Sequence, residues 1–184
     1  MFSSVLVKVI PRRMLRLATD EHGVSAVEFA LILPLMLTLF FGGVEVSQSV
    51  AIDRKVTLTA RTVADLTSQS AAVTSADITN ILAASSAVLS PYPISNAKII
   101  VASLKIDATS KVTMEWSKTH PAGGTVAMPT IPAALIVPNT YLIWGDVSYE
   151  YKPVIGYVLT GTLNLKDQIF MRPRLSEKVT CTGC

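Results

Sequence analysis

The chain has 184 residues, of which 50% are hydrophobic and 16% charged, and its formal net charge is only +3. A balance this small, with no basic arm set against an acidic body, excludes nucleic acid as an expected partner. Two Cys and two His exclude a disulfide-rich framework, and also a closed four-ligand zinc site within one compartment unless carboxylates contribute.

Residues 1–23 read as a short basic leader, with Lys8, Arg12, Arg13 and Arg16 set against Asp20 and Glu21. Val5, Leu6, Val7, Val9 and Ile10 make part of it apolar, so it suits a membrane surface until Pro11 breaks the pattern. Val24–Val44 follows as an apolar run with one charge, Glu28. At about 1.5 Å per residue it is roughly 30 Å long, the thickness of a bilayer's hydrocarbon core. Basic residues before the span predict a cytoplasmic N-terminus and an exported remainder of about 140 residues, enough for one modest domain.

A cleaved secretory signal is the competing reading, since Ser49-Val50-Ala51 resembles a small-residue cleavage site. The long basic region, the long apolar core and Glu28 at its mouth count against it.

The helical pattern continues past the span. Val46, Val50, Val56, Ala60, Val63 and Leu66 recur at mostly helical spacing, which predicts one helix from about Val24 to Ser68 with bend points at Pro34 and Gly42-Gly43. Its second half carries an apolar stripe that needs a partner. Thr74-Ser-Ala-Asp77 has the pattern of a reciprocal N-cap, and Ile78, Ile81, Leu82, Ala84 or Ser85, and Leu89 give the face of a second helix that Pro91-Tyr-Pro93 ends.

From Asn96 the period changes to two. Ile100, Ala102, Leu104 and Ile106 alternate, as do Val112, Met114 and Trp116 beyond a turn at Asp107–Ser110. His120–Thr140 is rich in Pro and Gly and reads as a long loop. A third strand is expected over about Tyr141–Tyr151, with Val147, Tyr149 and Tyr151 on one face, closed by Pro153 and Gly156. The apolar run Val154–Leu159 then leads to a short fourth strand over about Gln168–Arg172. The expected class is therefore α+β: a long N-terminal transmembrane helix, a short second helix, and an antiparallel sheet of three to four strands packed on the long helix. The chain divides into a leader (1–23), a span (24–44), an exported helical part (45–95) and a sheet with its C-terminal tail (96–184).

Three groups of residues invite a functional reading. The aromatic set Tyr141, Trp144, Tyr149, Tyr151 and Tyr157 can mark an interface, but at strand spacing it reads as core. Cys181-Thr-Gly-Cys184 has redox or metal spacing. It lacks a following helix and further ligands, and reads as a small-loop disulfide of an oxidising compartment or a pair of idle thiols, with an intermolecular disulfide as a further alternative. No nucleophile–base set, paired catalytic carboxylates or phosphate loop is visible, so no enzyme activity and no cofactor are expected.

The third group is Gly23-Val-Ser-Ala-Val-Glu28-Phe29. It resembles the processing region of type IV pilins and of the Flp and pseudopilin group, and Val-Glu28-Phe-Ala-Leu-Ile-Leu-Pro34 is similar to the start of the TadE-like family, minor pseudopilins of bacterial tight-adherence (Tad) pili. Val147-Ser-Tyr149-Glu-Tyr151-Lys-Pro153 and Phe170-Met-Arg172-Pro173-Arg174 also resemble the end of alphaproteobacterial members. The resemblance implies cleavage by a prepilin peptidase between Gly23 and Val24, and recognition and assembly through Glu28 and Phe29. It further implies partnership with other minor pilins, the major Flp-type pilin and the assembly platform, in the bacterial inner membrane with a periplasmic C-terminal domain. The chemistry is consistent: a new α-ammonium at Val24 can pair with a neighbour's Glu28 carboxylate, neutralising two charges in a low dielectric. An ordinary anchor with a carboxylate near its end is the alternative.

Overall fold

The computed structural model describes residues 23–153 and 161–184. The leader up to residue 22, the apolar run Val154–Leu159, and with it Gly156 and Tyr157, lie outside the described residues. Helix α1 (Val24–Ser68) runs unbroken through Pro34 and both glycines of the Gly42-Gly43 pair. It is followed by β1 (Ala72–Thr74), α2 (Ser75–Ala87), β2 (Ala97–Ile106), β3 (Val112–His120), β4 (Thr140–Tyr151), β5 (Leu163–Met171) and β6 (Thr180–Thr182). The four longer strands form one antiparallel sheet in the order β3-β2-β4-β5, as the α+β reading expects. The parallel pair β1–β6 is new, because strands of three residues carry no alternation to read.

The second half of α1 buries Glu45, Ile52, Val56, Thr59, Ala60, Val63, Ala64, Thr67 and Ser68. Val46 and Val50, expected on that stripe, are 48% and 47% exposed. The stripe enters the domain at Glu45 instead, so both valines lie on the outer face. Where α1 crosses β4 the backbones nearly touch: a Cβ at Gly145 would lie 2.7 Å from the Ala60 carbonyl oxygen.

The sheet packs on α1 as expected, but it is covered on both faces, and the alternating set read on β2 lies on the far one. Ala97, Ile99 and Val101 of β2, with Ile143, Val147, Tyr149 and Tyr151 of β4, meet the helices. Ile100, Ala102, Leu104 and Ile106 face the other way, in a second core with Leu142 and Trp144. There Val126, Ile131, Leu135 and Ile136 of the Pro-rich connection pack over them, so that loop is a lid on the sheet. A bulge adds a further correction: Ser103 pairs with Trp116 and Leu104 with Met114, leaving Glu115 as the extra residue. Trp116 therefore faces the helices, while Val112 and Met114 face the loop.

The fourth strand is longer than expected and begins five residues earlier, at Leu163 rather than Gln168, in register with Tyr151. Asp167 hid it, because this charge falls on the otherwise apolar parity of Leu163, Leu165, Ile169 and Met171. The expected aromatic core is seen for Trp144, Tyr149 and Tyr151, while Tyr141 is only partly buried.

Helix α2 starts on a reciprocal cap. The Thr74 hydroxyl accepts from Asp77 N–H at 3.2 Å, and Asp77 Oδ2 accepts from Thr74 N–H at 2.9 Å. The backbone N–H of Thr74, and secondarily its hydroxyl, hold the Asp77 carboxyl below its ordinary range. Thr74→Ala is expected to cost about 1 kcal/mol, the usual loss for an N-cap hydroxyl, read as a lowered thermal denaturation midpoint. The C-terminal segment closes the domain: Arg174 N–H donates to the Ser68 carbonyl at 2.9 Å, its guanidinium pairs with Asp65, and Trp116 Nε1 donates to the Val179 carbonyl at 2.9 Å.

Candidate functional site in the exposed half of the long helix

Gly23 lies just ahead of α1 and Val24 is its first residue. Among the described residues, nothing beyond its chain neighbours lies within 4 Å of a Cβ placed at Gly23. Glu28 stands one turn further on, four residues from Val24, so the two share a face about 6 Å apart along the axis. Phe29 is beside it and 58% exposed. The four residues thus lie together on one stretch of free helix.

The apolar residues that follow are also bare. Leu31 is 76% and Leu39 68% exposed, whereas Val56 and Val63 in the second half of the same helix are fully buried. The most hydropathic window of α1 has mean hydropathy 2.2 and none of it is buried by the fold. A water-exposed surface of this size needs another cover, and the helix is long and apolar enough to cross a membrane. One long apolar N-terminal helix thus points to membrane anchoring.

Among the described residues, no three His, Cys, Asp or Glu side chains gather as a metal site would require. Cys181 and Cys184 are joined as a disulfide beside Trp116, away from α1's free end.

Sequence reasoning passed over the junction between the two halves of α1. Glu45 is 2% exposed there, beside Tyr151, whose hydroxyl donates to Gln48 Oε1 at 3.2 Å. Burial first, then the Glu45 charge and the nearby Tyr92, push the Tyr151 phenol up from its ordinary value. Burial raises Tyr149 too, offset in part by a hydrogen bond with Asn96. Glu45 left a faint signal, as the first charge after the span. What concealed it was its helical position, which only the packed domain identifies as inward-facing.

The two tyrosines set a pH dependence. Their folded pKa values lie above the unfolded value near 10, so their contribution is complete below that pH and is lost as pH rises through the folded values. The denaturation midpoint is expected to fall above about pH 10, and Tyr149→Phe with Tyr151→Phe should flatten the fall.

No curated protein and no solved structure matches the chain. One family model, described as TadE-like protein, matches residues 23–65. The match begins at Gly23, covers the exposed half of α1 and extends over most of the half that meets the sheet. Over residues 23–65, the long helix, this chain is similar to the TadE-like family.

Proposed function

We propose that the chain serves the Tad pilus system as a TadE-like pseudopilin, helping to start or cap the fibre by association and without catalysing a reaction. The observation that carries this reading is the placement of Gly23, Val24, Glu28 and Phe29 on the free end of a helix whose next turns are apolar and uncovered. A cut between Gly23 and Val24 would leave an ammonium one turn from the Glu28 carboxylate. The leader stays in the cytoplasm, α1 crosses the inner membrane, and the sheet domain stands in the periplasm. The partners are a prepilin peptidase, sibling minor pilins, the major Flp-type pilin and the assembly platform.

The test is the mass of the N-terminal peptide of protein extracted from membranes. A start at Val24 is expected. An intact Met1 would leave a membrane-anchored binding domain that never enters a fibre, and a start at Ile52 would mean a cleaved secretory signal; either overturns the pseudopilin reading.

A further inference from the structure

The two edges of the sheet are complementary to each other. Among the described residues no strand lies beyond β3 or β5. Each edge carries a feature that repels an arbitrary strand: the bulge at Glu115 on β3, and Asp167 on the apolar side of β5. Both strands have nine residues. In the order β3-β2-β4-β5 every neighbour is antiparallel, so β3 and β5 run in opposite directions.

We propose that copies of this chain associate edge to edge in the membrane, with β5 of one copy pairing antiparallel with β3 of the next. Anchored copies stand with their α1 helices parallel, and side-by-side copies then present β5 to β3 in the antiparallel sense. Pairing β5 with β5 about a two-fold axis normal to the sheet would reverse one α1, which a shared membrane forbids. The contact is therefore head to tail, the kind that builds rings or open helices.

Charge fixes the register. Lys118 shares the helix-side parity with Trp116, because it pairs with Val101. Asp167 lies on the same side, opposite Val147. Placing Lys118 opposite Asp167 sets Ser117 against Gln168 and Trp116 against Ile169. With Glu115 passed over as the bulge, Met114 then meets Phe170 on the loop side, a sulfur–aromatic pair. Every pair matches in face and character. A slip of two residues puts Asp167 opposite Trp116 or His120 and leaves Lys118 opposite an aliphatic side chain.

The inference rests on common anchoring and not on the pilus reading, so it survives if Val24 proves not to be the N-terminus. The test uses the full chain in membranes, prepared as a mixture of isotopically light and heavy protein and treated with a zero-length amine–carboxylate cross-linker. Within one copy, Lys118 and Asp167 are three strand spacings apart, roughly 14 Å, too far for such a bond. Expected is a Lys118–Asp167 cross-linked peptide in mixed light–heavy form. Its absence, or attachment of Asp167 to a different protein, overturns the proposal. A second arm follows disulfide formation between copies carrying Ser117→Cys and copies carrying Gln168→Cys. Adding Asp167→Lys should lower the yield about fivefold, since attraction across the strands becomes repulsion, and adding Lys118→Asp as well should restore it. An unchanged yield in Asp167→Lys, or no rescue by the swap, overturns the register.

Discussion

Gly145→Ala is expected to destabilise the domain by about 3 kcal/mol, near the upper end for overpacking a tight contact and a large share of a typical folding free energy. The added Cβ would lie 2.7 Å from the Ala60 carbonyl oxygen, with Val63 Cγ1 at 3.0 Å and the Ala64 Cβ at 3.1 Å. Side chains can turn aside, but the first of these atoms is backbone within a helix. Relief therefore requires α1 to move off β4, which opens the core around Val56, Ala60 and Val63. Trimming the side chains, as in Val63→Ala, should not rescue the variant, because the carbonyl stays in place. Gly43→Ala is the control: no atom lies within 4 Å of its Cβ, and Ala favours helix over Gly by about 1 kcal/mol. Urea denaturation of the detergent-solubilised chain, followed by tryptophan fluorescence, reads both variants. An unchanged midpoint for Gly145→Ala would contradict the close crossing of α1 and β4.

The same crossing shows where sequence reading stops. The continuous α1, the cap at Thr74 and the turn at Asp107 are local, and each announces itself within a few residues. Asp107 Oδ1, for example, accepts from the backbone N–H groups of Thr109 and Lys111 at 2.8 and 2.9 Å, both within its own turn. Which residues face which layer is nonlocal. Ile99 and Ile100 are equally apolar, yet one packs under α1 and the other under the Pro-rich loop. Strand β2 is buried on both faces, so its alternation carries no direction, and the bulge at Glu115 inverts the parity of β3 midway. The tail strand β6 finds β1 across more than a hundred residues, which no local pattern encodes. The clustering of the candidate residues was legible because it is wholly local: Gly23, Val24, Glu28 and Phe29 fall within two turns at the start of one helix, on a stretch the fold leaves exposed. Glu45 was illegible for the opposite reason, since its inward placement is set by a strand a hundred residues away.

The second large effect is expected at Glu28. On the proposed processing, Val24 gains an α-ammonium at the start of an apolar helix, and Glu28 is the one acidic side chain in the next four turns. An unpaired charge there costs on the order of 2 kcal/mol, less than at a bilayer's centre because it lies near the span's end. At 1.36 kcal/mol per tenfold change, Glu28→Ala should reduce the amount of the chain co-isolating with assembled pilus subunits roughly thirtyfold. Glu28→Gln should fall nearly as far, because it keeps the shape and the hydrogen-bonding capacity but not the charge. Glu28→Asp retains the charge on a shorter arm and should sit between. The N-terminal mass separates the two roles a carboxylate can have here. If Glu28→Ala is still cut to expose Val24 but no longer co-isolates, the carboxylate acts by pairing in the assembly. If the leader is retained, Glu28 acts in recognition by the peptidase, ahead of any pairing, because the Val24 ammonium never forms. If the variant is cut and co-isolates as the parent does, the ammonium is neutralised elsewhere and the pairing role of Glu28 is wrong.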